Sequence, residues 1–141
     1  MKEALGKLQD KVGSLTEYVH GKLGYAKGED ITKYFFGDQI DAIAQAIYNM
    51  ENGGALVVGD QTGTGKGRIV AGLMKYALKR GLTPIFFTKD PTLYDAMLDD
   101  LQDVNAPEIK PAITNNEFGN FPELKKRLHK AGIAYGKEQF D

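Results

Sequence analysis

Residues 55–68 read ALVVGDQTGTGKGR, and the fold turns on how this stretch is divided. Ala55–Val58 is a short apolar, β-branched run bounded by glycines, the pattern expected of a buried parallel strand. From Lys66 to about Arg80, Ile69, Val70, Leu73, Met74 and Ala77 fall on one helical face, and Gly81 stands where a helix C-terminal glycine belongs. A glycine-rich turn between strand and helix aims several backbone N–H groups at one point, and the helix N-terminus adds partial positive charge there. Gly63 and Gly65 allow the close approach a phosphate requires. Lys66 would reach the β- and γ-phosphates of a nucleotide as a flexible point charge.

The general phosphate-loop pattern is G-x-x-x-x-G-K-[ST], and this stretch departs from it twice. Asp60 takes the place of the first glycine, with Gly59 one residue earlier. Gly67 stands where a serine or threonine would offer magnesium its hydroxyl. A lysine in a glycine-rich turn can arise without function; the flanking strand and helix patterns favour the phosphate site.

Outward from the loop, Pro84–Thr88 (PIFFT) reads as a second buried strand. Asp90-Pro91 then opens a helix carrying Leu93, Met97, Leu98 and Leu101. Strand, loop, helix, strand, helix predicts an α/β fold, a parallel sheet with flanking helices. Upstream, a helix from about Asp38 to Met50 would bury Ile40, Ile43, Ala44, Ile47 and Met50 and end at Asn52-Gly53-Gly54. Residues 3–23 place Leu5, Leu8, Val12, Leu15 and Val19 on one helical face, with Gly13 as a weak point costing about 1 kcal/mol relative to Ala. That face suits packing on the domain or recruitment of a protein partner. Residues 21–34 read as a linker. The division expected is an N-terminal helix and linker, 1–34, followed by a nucleotide-binding domain, 35–141. Asn105–Phe121 reads as loop, and 122–131 as a short helix with Pro122 in its first turn.

Composition narrows the classes. A chain of 141 residues can bury a core without staples, and with no cysteine it holds neither disulfides nor thiolate metal sites. His20 and His129 have no ligand-like neighbours in sequence, so no protein-only metal site is expected. With 18 basic and 19 acidic residues, nucleic-acid contact would rest on local patches rather than on net charge. No apolar run approaches the roughly 20 residues that span a bilayer, and the N-terminus lacks the apolar block of a signal peptide. A cytoplasmic chain without membrane attachment is expected.

The stretch Gln61-Thr62-Gly63-Thr64-Gly65-Lys66 resembles motif I of superfamily-2 helicases, and GDQTGTGKGR followed by IVAGL resembles the Strawberry notch family of helicase-like ATPases. That family also carries glycine after the lysine and an acidic residue before the loop, so both departures fit it. Two further stretches support the resemblance, which covers about residues 36–104. Phe36–Ile43 (FGDQIDAI) is similar to the helicase segment whose glutamine reads adenine; here that residue is Gln39, whose amide can donate and accept at once. Phe35 or Phe36 could stack on the base, although two aromatics before a helix more often belong to a core. Phe86-Phe87-Thr88 and the following DPTLYDAMLDDLQDV resemble motif Ia, which implies contacts from Thr88, Lys89 and Thr92 to a nucleic-acid backbone. An exposed Thr-Lys pair is also ordinary at a strand end.

The resemblance implies an incomplete RecA-like P-loop domain that binds ATP and Mg2+ through Gln39 and Gln61, Thr62, Gly63, Thr64, Gly65, Lys66, Gly67 and Arg68, with Lys66 as the catalytic lysine. Arg68 could face the phosphates or pair with an acid on the helix surface. Hydrolysis further requires carboxylates for magnesium, a water-positioning residue and usually an arginine finger. Asp99 and Asp100 sit on a helix face, whereas the family's acids project from a strand end, so most magnesium ligands are expected outside this chain. The expectation is the N-terminal part of an ATPase acting on DNA or nucleoprotein, inactive by itself. The alternatives are a non-catalytic nucleotide-binding scaffold and, less well matched, a small P-loop kinase.

Overall fold

Gly13 adopts a φ of +78°, and the first helical pattern breaks there into two helices. The computed structural model describes residues 2–59, 65–90, 92–107, 109–113 and 121–133. Its helices are α1 (Lys2–Val12), α2 (Leu15–Leu23), α3 (Gly37–Glu51), α4 (Lys66–Lys79), α5 (Thr92–Asp103) and α6 (Pro122–Lys130), with a 3-10 turn at Ile31–Lys33. Ser14 caps α2 by accepting from the Glu17 N–H at 3.3 Å. None of the described helices is long and apolar enough to cross a membrane.

The main core joins α1 through α5. Leu8 of α1, Val19 and Leu23 of α2, Ile43 and Ile47 of α3, Ile69 and Tyr76 of α4 and Leu101 of α5 are all buried in it. The apolar stripe of the first two helices therefore packs inward, with Val12 and Leu15 against the same cluster. Tyr25 and Ile31, in the stretch expected to be a linker, are buried there too. Small residues set the spacing of α3 and α4. A Cβ on Gly72 would stand 3.0 Å from Ile43 Cδ1 and 3.2 Å from Phe35 Cε1, a tight contact that would push these side chains back by a few tenths of an ångström. Met50, expected in the core, is exposed at the end of α3, and Leu93 is exposed at the start of α5.

The expected parallel sheet is not present among the described residues. Among the described residues there is no strand, which overturns the RecA-like α/β architecture in favour of a helical one. In 55–58, Leu56 and Val58 are half-buried, while Val57 is 92 % exposed. In 84–88, Phe86 is half-buried between Ile85 and Phe87, which are 73 % and 87 % exposed. Each run lays one side on the helices, with Val58 and Phe86 against the main core, and turns the other to solvent. A continuous apolar run predicts burial on both faces, but a strand exists only through a ladder, and composition cannot supply the partner.

A second, smaller cluster holds α6 to α5. Leu98, Leu124, Leu128, Ile113 and Ile133 are buried together beside Tyr94 and Phe121. Arg127 adds polar ties from α6 to the carboxylates of Asp95 and Asp99.

Candidate nucleotide site

Asp60, Gln61, Thr62, Gly63 and Thr64 lie outside the described residues, so the site is built from Gly65 onward. Gly65 is the N-cap of α4, with φ 79° and ψ 25°. This left-handed conformation suits glycine, and a second constraint reinforces it. A Cβ on Gly65 would stand 2.3 Å from Gln39 Nε2. Lys66 then occupies the first helical position of α4, half-buried, at the end where the helix dipole is positive.

Gln39 is what fixes this turn from behind. It is 2 % exposed, a buried polar side chain in the first turn of α3. Its Oε1 accepts from the Phe36 N–H at 2.7 Å, and its Nε2 donates to the Gly65 carbonyl at 3.1 Å. The first bond reaches back to the start of α3, as a capping side chain does. The second ties α3 to the entrance of α4. The residue expected to read adenine is thus engaged with protein at both ends of its amide. Next to it, Phe35 is buried and Phe36 is 71 % exposed, so of the two aromatics only Phe36 offers a free face.

Arg68 resolves toward the helix surface. Its guanidinium donates to the Tyr34 carbonyl at 2.9 Å and pairs with Asp103 at 3.3 Å. Gly67 faces α5. A Cβ placed on it would lie 1.9 Å from Asp100 Oδ2 and 2.8 Å from Asp100 Cγ. The sequence therefore places a glycine where a neighbouring carboxylate already fills the side-chain volume. Burial raises the Asp100 carboxyl above the ordinary range, the charges of Asp103 and Asp99 add to this, and Arg68 partly offsets it. Asp100 lies on the α5 face that the sequence does not connect to the loop; the one local sign of this contact is Gly67, a glycine where the general phosphate-loop pattern has a hydroxyl.

Thr88, Lys89 and Thr92 gather at the start of α5. Asp90 accepts from the Thr92 N–H at 3.0 Å and from the Thr92 hydroxyl at 2.8 Å, which lowers the Asp90 carboxyl. The Thr88 hydroxyl lies 3.4 Å from the Asp90 N–H, which donates to it. Thr92 is therefore engaged in the helix-start turn, and Lys89 is exposed.

No family model, curated protein or solved structure matches this chain.

Among the described residues no cluster of three or more His, Asp or Glu side chains could hold a metal by itself. Magnesium does not demand one. It keeps several waters and uses one or two carboxylates together with substrate phosphates. A single carboxylate beside Gly67, next to the lysine, fits that mode.

Proposed function

We propose that the chain binds the triphosphate of ATP at the N-terminus of α4, through residues 61–68 with Lys66 as the principal charge. The observation that carries this reading is Gly65. It combines a left-handed backbone, a position where a Cβ would collide with Gln39, and a carbonyl held by the same buried Gln39. An ordinary helix start does not need a buried amide from another helix to hold it. The same bond makes Gln39 a support for the loop, while the exposed Phe36 beside it offers a stacking face for the base.

The resemblance of residues 59–68, 36–43 and 86–104 to Strawberry notch-type helicase-like ATPases supports a wider reading. In it, this nucleotide site belongs to an ATPase that works on DNA or nucleoprotein, with Thr88, Lys89 and Thr92 toward the nucleic-acid backbone. That reading rests on the sequence motifs and not on a sheet.

The test is an ATP titration of this chain beside Lys66→Ala. Loss of the charged phosphate contact should weaken binding by about 2 kcal/mol or more. Equal affinity in the two proteins would refute the phosphate site. Tight binding without turnover, also after addition of DNA, would make the chain a nucleotide-binding scaffold.

A further inference from the structure

The four aspartates described on α5 are not equivalent. Asp95 and Asp99 are both taken by Arg127, and Asp103 is taken by Arg68. Asp100 has no ion pair or hydrogen bond among the described residues; its neighbour is Gly67. Arg68 acts on it only through charge, while burial and two other aspartates oppose its ionised form. A half-buried carboxylate in that setting is one that a cation would stabilise.

The place it occupies is specific. In the general motif, the residue after the lysine carries a hydroxyl toward the magnesium of the bound nucleotide. In this chain the Cβ of such a residue would lie 1.9 Å from Asp100 Oδ2. The carboxylate oxygen thus fills the volume from which a serine or threonine hydroxyl would project.

We propose that Asp100 supplies, from α5, the magnesium-facing oxygen that Gly67 lacks. This rests on the reading of residues 61–68 as a triphosphate site. It makes the glycine and the aspartate a matched pair: one vacates the space, the other brings a hard, charged oxygen ligand into it. It also assigns part of the magnesium binding to this chain rather than to residues elsewhere. Asp100 would hold the metal directly or through one of its waters.

The experiment is a calorimetric titration of ATP into the full chain, in excess magnesium and in EDTA. The ratio of the two affinities is the magnesium gain. Asp100→Asn keeps the side-chain shape, so its affinity in EDTA should equal or exceed that of the parent protein. Its magnesium gain should fall by about tenfold or more. A second variant guards against loss of fold. Asp100→Ala combined with Gly67→Ser opens the space and returns a hydroxyl to it, and should recover a magnesium gain that Asp100→Ala alone lacks. An undiminished gain in Asp100→Asn overturns the inference, as does a double variant that binds ATP in EDTA without any recovered gain. If the parent chain binds no ATP, or binds it equally well as Lys66→Ala, the triphosphate site itself fails and the inference falls with it.

Discussion

The Gln39 amide donates to the Gly65 carbonyl across 3.1 Å, so the residue before the loop lysine is held by a side chain of a different helix. The same side chain accepts from the Phe36 N–H, and it is almost fully buried. Gln39→Ala would leave the Phe36 N–H without its partner, leave the Gly65 carbonyl only its bond from the Arg68 N–H, and open a void between α3 and α4. Leaving buried polar groups unpaired costs about 1–3 kcal/mol. The urea midpoint should fall accordingly, and ATP affinity should fall with it because the loop loses its anchor. Gln39→Glu should retain the bond from Phe36 N–H but not the one to Gly65. An unchanged midpoint in Gln39→Ala would show the bond to be incidental.

Gly65→Ala meets two separate penalties. Its φ of 79° disfavours any L side chain by about 1–2 kcal/mol, and its Cβ would collide with Gln39 Nε2. A double-mutant cycle separates them. In the Gln39→Ala background the collision is gone, so Gly65→Ala should cost only the backbone term. Neighbours in contact couple by about 0.5–3 kcal/mol. Additive costs in chemical denaturation would mean that the two side-chain positions do not meet.

Phe36 tests what the loop binds. Its ring is 71 % exposed, so Phe36→Ala should leave stability within about 0.5 kcal/mol. Stacking on a base is worth about 1–3 kcal/mol. ATP affinity should drop by that amount, while inorganic tripolyphosphate, which has no base, should bind both proteins alike. A parallel loss for the two ligands would place the effect on the loop rather than on the adenine.

Much of the helical framework was legible because helices are local. The apolar spacing of α3, α4 and α5 and the Pro122 start of α6 stand close to where periodicity puts them, and Gly13 breaks the first pattern. Gly81 has a φ of 73°, in keeping with a glycine just past α4. The sheet that the sequence suggests fails for the complementary reason. ALVV and PIFFT have the composition of strands, but pairing is a property of two segments and cannot be inferred from either one. Exposed Val57, Ile85 and Phe87 record the missing second layer.

Site geometry divides the same way. Gly65 and Lys66 stand out from their order in the chain, whereas the contacts of Gln39 and Asp100 depend on how the helices pack. Even so, α5 held a clue. Asp95, Asp99 and Asp103 recur every fourth residue and share one face, where the arginines meet them. Asp100 is out of that register and faces Gly67 instead.

Glu51 gives a pH-dependent prediction. It lies at the end of α3 and accepts from Lys22 of α2 at 2.8 Å, from Tyr76 of α4 at 3.0 Å and from Arg80 at 3.0 Å. The bond from Lys22 leads in lowering its carboxyl from the ordinary 4.5, against an opposing effect of burial; Tyr76 and the charges of Lys22 and Arg80 lower it further. A depressed folded-state value means that the unfolded chain takes up the proton first as pH falls. The stabilisation is therefore complete above 4.5 and is lost as pH drops through the folded-state value. Asp41 and Asp100 run the other way, because burial raises both carboxyls and their penalty at neutral pH is relieved by acid. A single variant isolates Glu51 from these opposing trends. Glu51→Gln should lower stability at pH 7, by no more than about 1 kcal/mol for so accessible a network. The difference from the parent protein should shrink steadily as pH falls below 4.5. Denaturant titrations across that range measure it directly, and a difference independent of pH would assign the effect of Glu51 to packing instead of charge.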